Sequence, residues 1–137
     1  MKKGKKMERY KVILVDDEAE VIDMIEKKIH WNDLGFEVAG SATNGVKALE
    51  LVEKLQPDVV LTDIKMPYMD GLTLAERVRQ KYPSMKIVIF SGYDDFEYAK
   101  QAIKLNVTEY ILKPVNVEEL TAILQKIKAN LDQEIEQ

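Results

Sequence analysis

"KVILVDDEAE", residues 11–20, places four apolar residues among its first five and then sets down Asp16, Asp17 and Glu18 without a break. An apolar run this short reads as a strand buried on both faces. Three adjacent carboxylates repel one another and gain nothing from a core, so a buried strand that ends in them calls for a partner of opposite charge.

The same kind of run recurs four more times. Candidate strands lie at 10–15 (YKVILV), 36–41 (FEVAGS), 58–62 (DVVLT), 86–90 (KIVIF) and 107–111 (VTEYI). Between them come apolar residues at helical spacing: Val21/Ile25/Ile29, Ala48/Val52/Leu55, Leu72/Ala75/Val78 and Ala99/Ile103. A last helix carries Leu120, Ile123, Leu124, Ile127 and Leu131, and its stripe continues to Ile135. Pro57, Pro67 and Pro83 fall between elements, and Asn44-Gly45 and Asp70-Gly71 mark helix starts. Five strands alternating with five helices predict an α/β fold, a doubly wound five-stranded parallel sheet with helices on both faces.

The 137 residues fit one domain with an adequate core. Expected boundaries are a flexible basic tail at 1–8, the domain at 9–131, and a helix end or start of a linker at 132–137. There are no cysteines, which excludes disulfides, thiolate catalysis and cysteine metal sites. Removing residues 1–6 takes away four of the 20 basic residues and leaves 16 against 24 acidic ones, a balance of −8. Such an acidic body is a poor surface for nucleic acid, and no direct binding of it is expected. No apolar stretch approaches membrane-spanning length, and the lysine-rich MKKGKK is not followed by the apolar segment of an export signal. A cytoplasmic location is the expectation.

Open parallel sheets carry their sites beyond the carboxyl ends of the strands. Asp16, Asp17 and Glu18 follow the first strand, Asp63 the third, Ser91-Gly92 the fourth and Lys113-Pro114 the fifth. Clustered carboxylates without nearby His or Cys select a hard cation such as Mg²⁺ or Mn²⁺. The chemistry that fits such a cation, a lysine and a hydroxyl is phosphoryl transfer. Asp63 stands alone on the central strand and is the candidate nucleophile, forming an acyl phosphate. Each residue taken singly has a plainer reading. Asp17 and Glu18 suit a helix N-terminus, and Ser91-Gly92 and Lys113-Pro114 suit turns. Five residues of suitable type at the ends of four strands argue for a site. His30, the only histidine, and Trp31 belong near the end of the first helix, at the opposite end of the sheet.

The pieces VILVDDE, DVVLTDIKMPYMDG, IVIFSGYDD and EYILKPV, in this order, resemble the receiver domain of bacterial two-component response regulators, over residues ~9 to ~130. IHWNDLGFEVAG and SGYDDFEYAKQAIKLNV resemble the branch that carries an AraC-type DNA-binding domain after the receiver, a domain absent from this chain. The resemblance implies a flavodoxin-like sheet with strand order 2-1-3-4-5. It implies a sensor histidine kinase as partner, with Asp63 accepting the phosphoryl group. Asp17, Asp63 and the backbone carbonyl of Lys65 would ligate Mg²⁺, and Asp16 would act through water. Lys113 would pair with the phosphoryl group, across a cis bond to Pro114. Ser91 and Tyr110 would be the switch pair. The domain would signal rather than turn over substrate, catalysing only its own phosphorylation and dephosphorylation.

Asn106 replaces a frequent glycine, with a side chain that tolerates left-handed backbone. Lys65, Tyr93, Asp94 and Asp95 bear on phosphate lifetime and access. Phosphorylation is expected to promote a homodimer through the face that Ser91 and Tyr110 address.

Competing readings fit less well. An aspartyl-phosphate phosphatase wants an Asp-x-Asp pair, where this chain has Asp16-Asp17-Glu18. An FMN binder wants a hydroxyl- and glycine-rich loop after the first strand, and a Walker A loop is absent. The alternative of another class is a receiver-like interaction module that works without phosphorylation.

Overall fold

The computed structural model describes residues 9–92 and 96–136. Its strands are β1 (Tyr10–Val15), β2 (Phe36–Ala42), β3 (Val59–Asp63), β4 (Lys86–Ser91) and β5 (Glu109–Leu112). The helices are α1 (Ala19–Lys28), α2 (Trp31–Leu34), α3 (Gly45–Leu55), α4 (Gly71–Lys81), α5 (Phe96–Lys104) and α6 (Val117–Glu136). All strand pairs are parallel, and the order is β2-β1-β3-β4-β5. The predicted doubly wound sheet and its strand order are both borne out.

Strand geometry explains the unbroken apolar runs. Successive side chains point to opposite faces, and both faces are covered. Val12, Leu14, Val59, Leu61, Val88 and Phe90 join one cluster, which α1, α2 and α6 complete with Ile25, Trp31 and Leu124. Ile13, Val15, Val60, Ile87 and Ile89 join the other, completed by Val52, Val78 and Ala102 of α3, α4 and α5. With about 1.5–3 kcal/mol for each fully buried aliphatic side chain, these clusters are the main stabilising term.

The structure adds a sixth helix to the expected five. The helix expected to run on to His30 and Trp31 stops at Lys28, where Ile29 turns to extended backbone (φ −88, ψ 136) and buries its side chain. Trp31 opens its own turn and donates its indole N–H to Glu26 O at 3.1 Å. Gly35 closes that turn in the left-handed conformation (φ 90), a role glycine fills without strain. His30 and Trp31 do lie at the far end of the sheet, beside the start of β1, where Tyr10 N–H bonds Gly35 O.

The third strand ends at Asp63 rather than at Thr62, and the fifth starts at Glu109 rather than at Val107. Asn106 adopts φ 61, as its side chain permits. The expected division at residue 131 falls inside α6, which stays on the body beyond it. Leu131 is buried, Tyr10 donates its hydroxyl to Asp132 Oδ1 at 2.6 Å, and Lys86 pairs with Glu134 at 2.5 Å. The expected basic tail at 1–8 lies outside the described residues.

Arg79 ties the far end together. Its Nη1 donates to Pro83 O (2.6 Å) and Met85 O (2.9 Å), and its Nη2 to Asn106 O (3.2 Å). Burial lowers its pKa, since these partners are carbonyls rather than a carboxylate. Arg79→Met keeps the stem and loses three bonds. A urea melt should show a loss of about 1–3 kcal/mol, the range for a few charge-assisted bonds to partly solvated carbonyls. An unchanged midpoint would show that the clamp contributes nothing.

Candidate functional site

Among the described residues, the buried polar or charged side chains are Asp16, Asn44, Thr62, Asp63 and Ser91. All five belong to the carboxyl-end edge of the sheet, so that edge, rather than the core, is where polarity has been kept at a cost. Clefts of about 450 Å³ at the opposite end, one lined by His30 and Trp31 and one by Tyr10 and Tyr82, hold no comparable group.

Asp16 follows β1 directly. Its N–H still pairs with β2, donating to Ala42 O at 3.1 Å. Its Oδ1 accepts the Glu18 N–H at 2.9 Å, which folds the side chain back over the turn, 2% exposed. Glu18 stands at the N-cap of α1 yet makes no side-chain cap bond. The acidic stack is therefore more than a helix cap. Asp17 is exposed, yet it keeps a carboxylate oxygen within 4.8 Å of those of Asp16 and Asp63.

Asp63 is the last residue of β3. Its Oδ1 accepts the Ile64 N–H at 2.9 Å, and its carbonyl accepts the Thr62 hydroxyl at 2.9 Å. Lys113 comes from the end of β5, where its N–H donates to Ser91 O at 2.7 Å and its bond to Pro114 is cis. Lys113 Nζ lies 3.1 Å from Asp16 Oδ2, 3.2 Å from Asp63 Oδ2 and 3.9 Å from Glu18 Oε1. The structure thus brings Asp16, Asp17, Asp63 and Lys113 together. Lys65 sits two residues past Asp63, exposed, in the loop before α4. Ser91 and Tyr110 form a second pair nearby, their hydroxyls hydrogen-bonded to each other. Tyr93, Asp94 and Asp95 lie outside the described residues.

Burial dominates the electrostatics. It raises the Asp63 pKa to about 6, helped by the Asp16 charge and opposed by Lys113. Burial also raises that of Asp16, against the Glu18 N–H and Lys113. For Lys113 burial works downward, but the charges of Asp63 and Asp16 prevail and raise it. One lysine thus leaves two buried carboxylates incompletely compensated.

The donor set fits a hard divalent cation. Asp16, Asp17 and Asp63 each offer a carboxylate oxygen, all within 4.8 Å of one another. Asp16 Oδ2 is buried and lies 3.1 Å from Lys113 Nζ, without a well-aligned hydrogen bond. A buried oxygen in that condition has capacity for a cation or a water.

Two glycines hold the loop 64–70 against the site, a role the sequence showed only as Asx-Gly helix starts. A Cβ on Gly71 would stand 2.0 Å from Asp63 O, and one on Gly45 would stand 2.3 Å from Met69 O. Gly71 N–H also donates to Ile64 O at 2.7 Å. Gly71→Ala must push α4 away from the backbone of Asp63. The expected loss is about 1–3 kcal/mol, as for overpacking elsewhere, together with weaker divalent-cation binding. Unchanged calorimetric Mg²⁺ titration and thermal midpoint would refute the contact.

An open sheet in this order, with an acidic cleft and a lysine at its carboxyl edge, defines a receiver of the two-component type. The sequence profile of the response regulator receiver domain matches residues 12–125, and the chain belongs to that family. The transcriptional regulatory protein YesN of Bacillus subtilis is 43% identical over 122 residues, which are 89% of this chain and 33% of YesN. HptR of Staphylococcus aureus is 37% identical over 122 residues, 89% of this chain and 48% of HptR. The chain thus spans a third to about half the length of these relatives. Among solved structures, the REC domain of AraT, a response regulator from Geobacillus stearothermophilus, superposes with a TM-score of 0.87 at 42% identity. That match covers 91% of this chain and 97% of the other. A two component transcriptional regulator AraC from Clostridium phytofermentans gives a TM-score of 0.85 at 33% identity, covering 93% and 99%.

Proposed function

We propose that this receiver accepts a phosphoryl group on Asp63 from the phosphohistidine of a sensor histidine kinase. The observation that carries the reading is Asp63 itself, a buried carboxylate 3.2 Å from Lys113 and clustered with two further aspartates. An Asp63 oxygen attacks phosphorus, the P–N bond breaks, and the imidazole leaves with the bonding pair. Lys113 faces the oxygens on which negative charge accumulates. The Ile64 N–H holds the other Asp63 oxygen and fixes the plane of the carboxylate. Asp17, Asp63 and the Lys65 carbonyl would hold Mg²⁺, with Asp16 acting through water. Bound Mg²⁺ would supply positive charge for the phosphoryl oxygens. The domain is in this reading a signalling element that catalyses only its own phosphorylation and dephosphorylation. Incubation with acetyl phosphate and Mg²⁺, followed by intact mass, should show one added phosphoryl group and none in EDTA. No adduct under any condition would favour a phosphorylation-independent interaction module.

The output we propose is transcription, through an attached AraC-type DNA-binding domain, with phosphorylation shifting self-association. The β5 edge of the sheet, with α5 packed on one side and α6 on the other, exposes Ile103 and Leu112 and carries the pairs Lys100–Glu97 and Lys126–Glu109. Exposed apolar side chains and both signs of charge along this edge suit a two-fold contact with its own copy. Beryllofluoride with Mg²⁺ should raise the sedimentation mass of the wild type. A species that stays monomeric with the mimic bound would rule this out. The kinase and the regulator would meet in the cytoplasm; no described helix is long and apolar enough to cross a membrane.

A further inference from the structure

Tyr68 is the most exposed large apolar side chain among the described residues, at 87%. It also holds a positive φ of 70. Met69 N–H donates to Pro67 O at 2.8 Å, which closes a three-residue turn centred on Tyr68. With positive φ at its centre such a turn is rare and strained, the more so for a bulky residue. The ring lies in water, so no packing of its own offsets that strain. The neighbours hold the turn instead. Met66 and Met69 pack against the cluster of Ile64 and Leu72, and Gly71 N–H bonds Ile64 O at 2.7 Å. Met69 O rests on Gly45, where a Cβ would stand 2.3 Å away. Val46, the next residue of α3, is a second exposed apolar side chain, at 42%.

We infer that Tyr68, with Val46 beside the same loop, is a docking anchor for the protein that brings the phosphohistidine. The inference rests on the reading of Asp63 as phosphoacceptor and of a kinase as its donor. Asp63 is 7% exposed, and the loop 64–70 is held against it by Gly71, where a Cβ would stand 2.0 Å from Asp63 O. A protein whose histidine reaches that carboxylate therefore covers the loop. A small donor such as acetyl phosphate needs no such cover. Tyrosine at a contact of this kind supplies a large rigid area at low cost in conformational entropy. Strain that the surrounding structure imposes on a residue gathers where a ligand is clamped, and here it presents the ring before the partner arrives.

The test separates protein donors from small ones. The probe is the phosphorylated soluble core of each sensor kinase of the source organism, and the core that labels the wild type fastest is kept. Tyr68→Ala should raise the KM for that core about ten-fold, as for the loss of one interface anchor. Its kcat should be unchanged, because the lost contact is made equally before and during transfer. Tyr68→Phe keeps the ring and should stay near wild type. Labelling by acetyl phosphate and Mg²⁺ should be the same in all three proteins. Tyr68→Gly should lose kinase transfer as Tyr68→Ala does without lowering the thermal midpoint, because glycine accepts the positive φ and no packing is lost. Unchanged transfer in Tyr68→Ala would overturn the anchor. So would an equal loss with both donors, since residue 68 would then act by shaping the loop at Asp63. If acetyl phosphate labels the wild type and no kinase core does, the reading of the donor fails and the anchor with it. Absence of any label would instead overturn the reading of Asp63.

Discussion

Asp63→Ala is expected to carry no phosphoryl group after incubation with acetyl phosphate and Mg²⁺, under conditions that label the wild type fully. The other two aspartates are poor substitutes. Asp16 has one oxygen committed to the Glu18 N–H and the other beside Lys113, and at 2% exposed it offers little approach. Asp17 is open to water, so its carboxylate lacks the buried surroundings of Asp63. Lys113 lies 3.2 Å from Asp63, which places the cation where a phosphoryl group on that oxygen would need it. Lys113→Ala should leave labelling possible but about 10²–10³-fold slower, as when one preorganised charge or donor is removed from a transition state. Asp17→Ala should also slow labelling and raise the Mg²⁺ concentration needed for it. Intact mass over a time course separates these cases. Full labelling of Asp63→Ala at another carboxylate would remove the assignment.

The sheet was readable because each strand is a short apolar run with both faces buried, and the rim because strand ends can be named once the strands are known. Other features carry no such signal. Trp31–Leu34 is a single turn, too short for any apolar period, and its evidence lies in an indole bond to Glu26. Val107 looks like strand sequence, yet its N–H bonds Ala102 O and belongs to the end of α5. Asp132 and Glu134 look like the polar tail of a helix until Tyr10 and Lys86, more than 45 residues away in sequence, are brought against them. Gly71 reads as a helix start in sequence, and only the 2.0 Å overlap with Asp63 O shows why no side chain fits. The site was legible by residue type and the order of the strands. Its internal hydrogen bonds depend on register, which sequence leaves open.

The metal-free domain should become less stable as the pH rises from about 4 to about 7, and Asp63→Asn should remove most of that loss. Burial lifts the Asp63 pKa from 3.8 to about 6, so the folded state holds its proton more tightly than the unfolded chain does. A carboxyl shifted in this direction contributes stability that is complete below pH 3.8 and disappears as the pH passes about 6. Above that pH the folded protein carries an ionised, buried carboxylate that Lys113 only partly offsets. Asp16 is shifted the same way, and the two titrate as a coupled pair. Lys113 is raised, and its own stability term changes only at alkaline pH, outside this window. At about 1.4 kcal/mol per pKa unit, the wild type should lie about 2–3 kcal/mol below Asp63→Asn at pH 7, the gap closing toward pH 4. Urea melts in EDTA measure it directly. Saturating Mg²⁺ at neutral pH should return a similar amount to the wild type, about 2.7 kcal/mol at a hundred times its dissociation constant. The amide variant, lacking the Asp63 charge, should gain less. A pH-independent gap, or an Asp63→Asn variant less stable than wild type at pH 7, would mean that the cluster is already neutralised without a cation. In that case the buried charge of Asp63 would not be what draws the metal in.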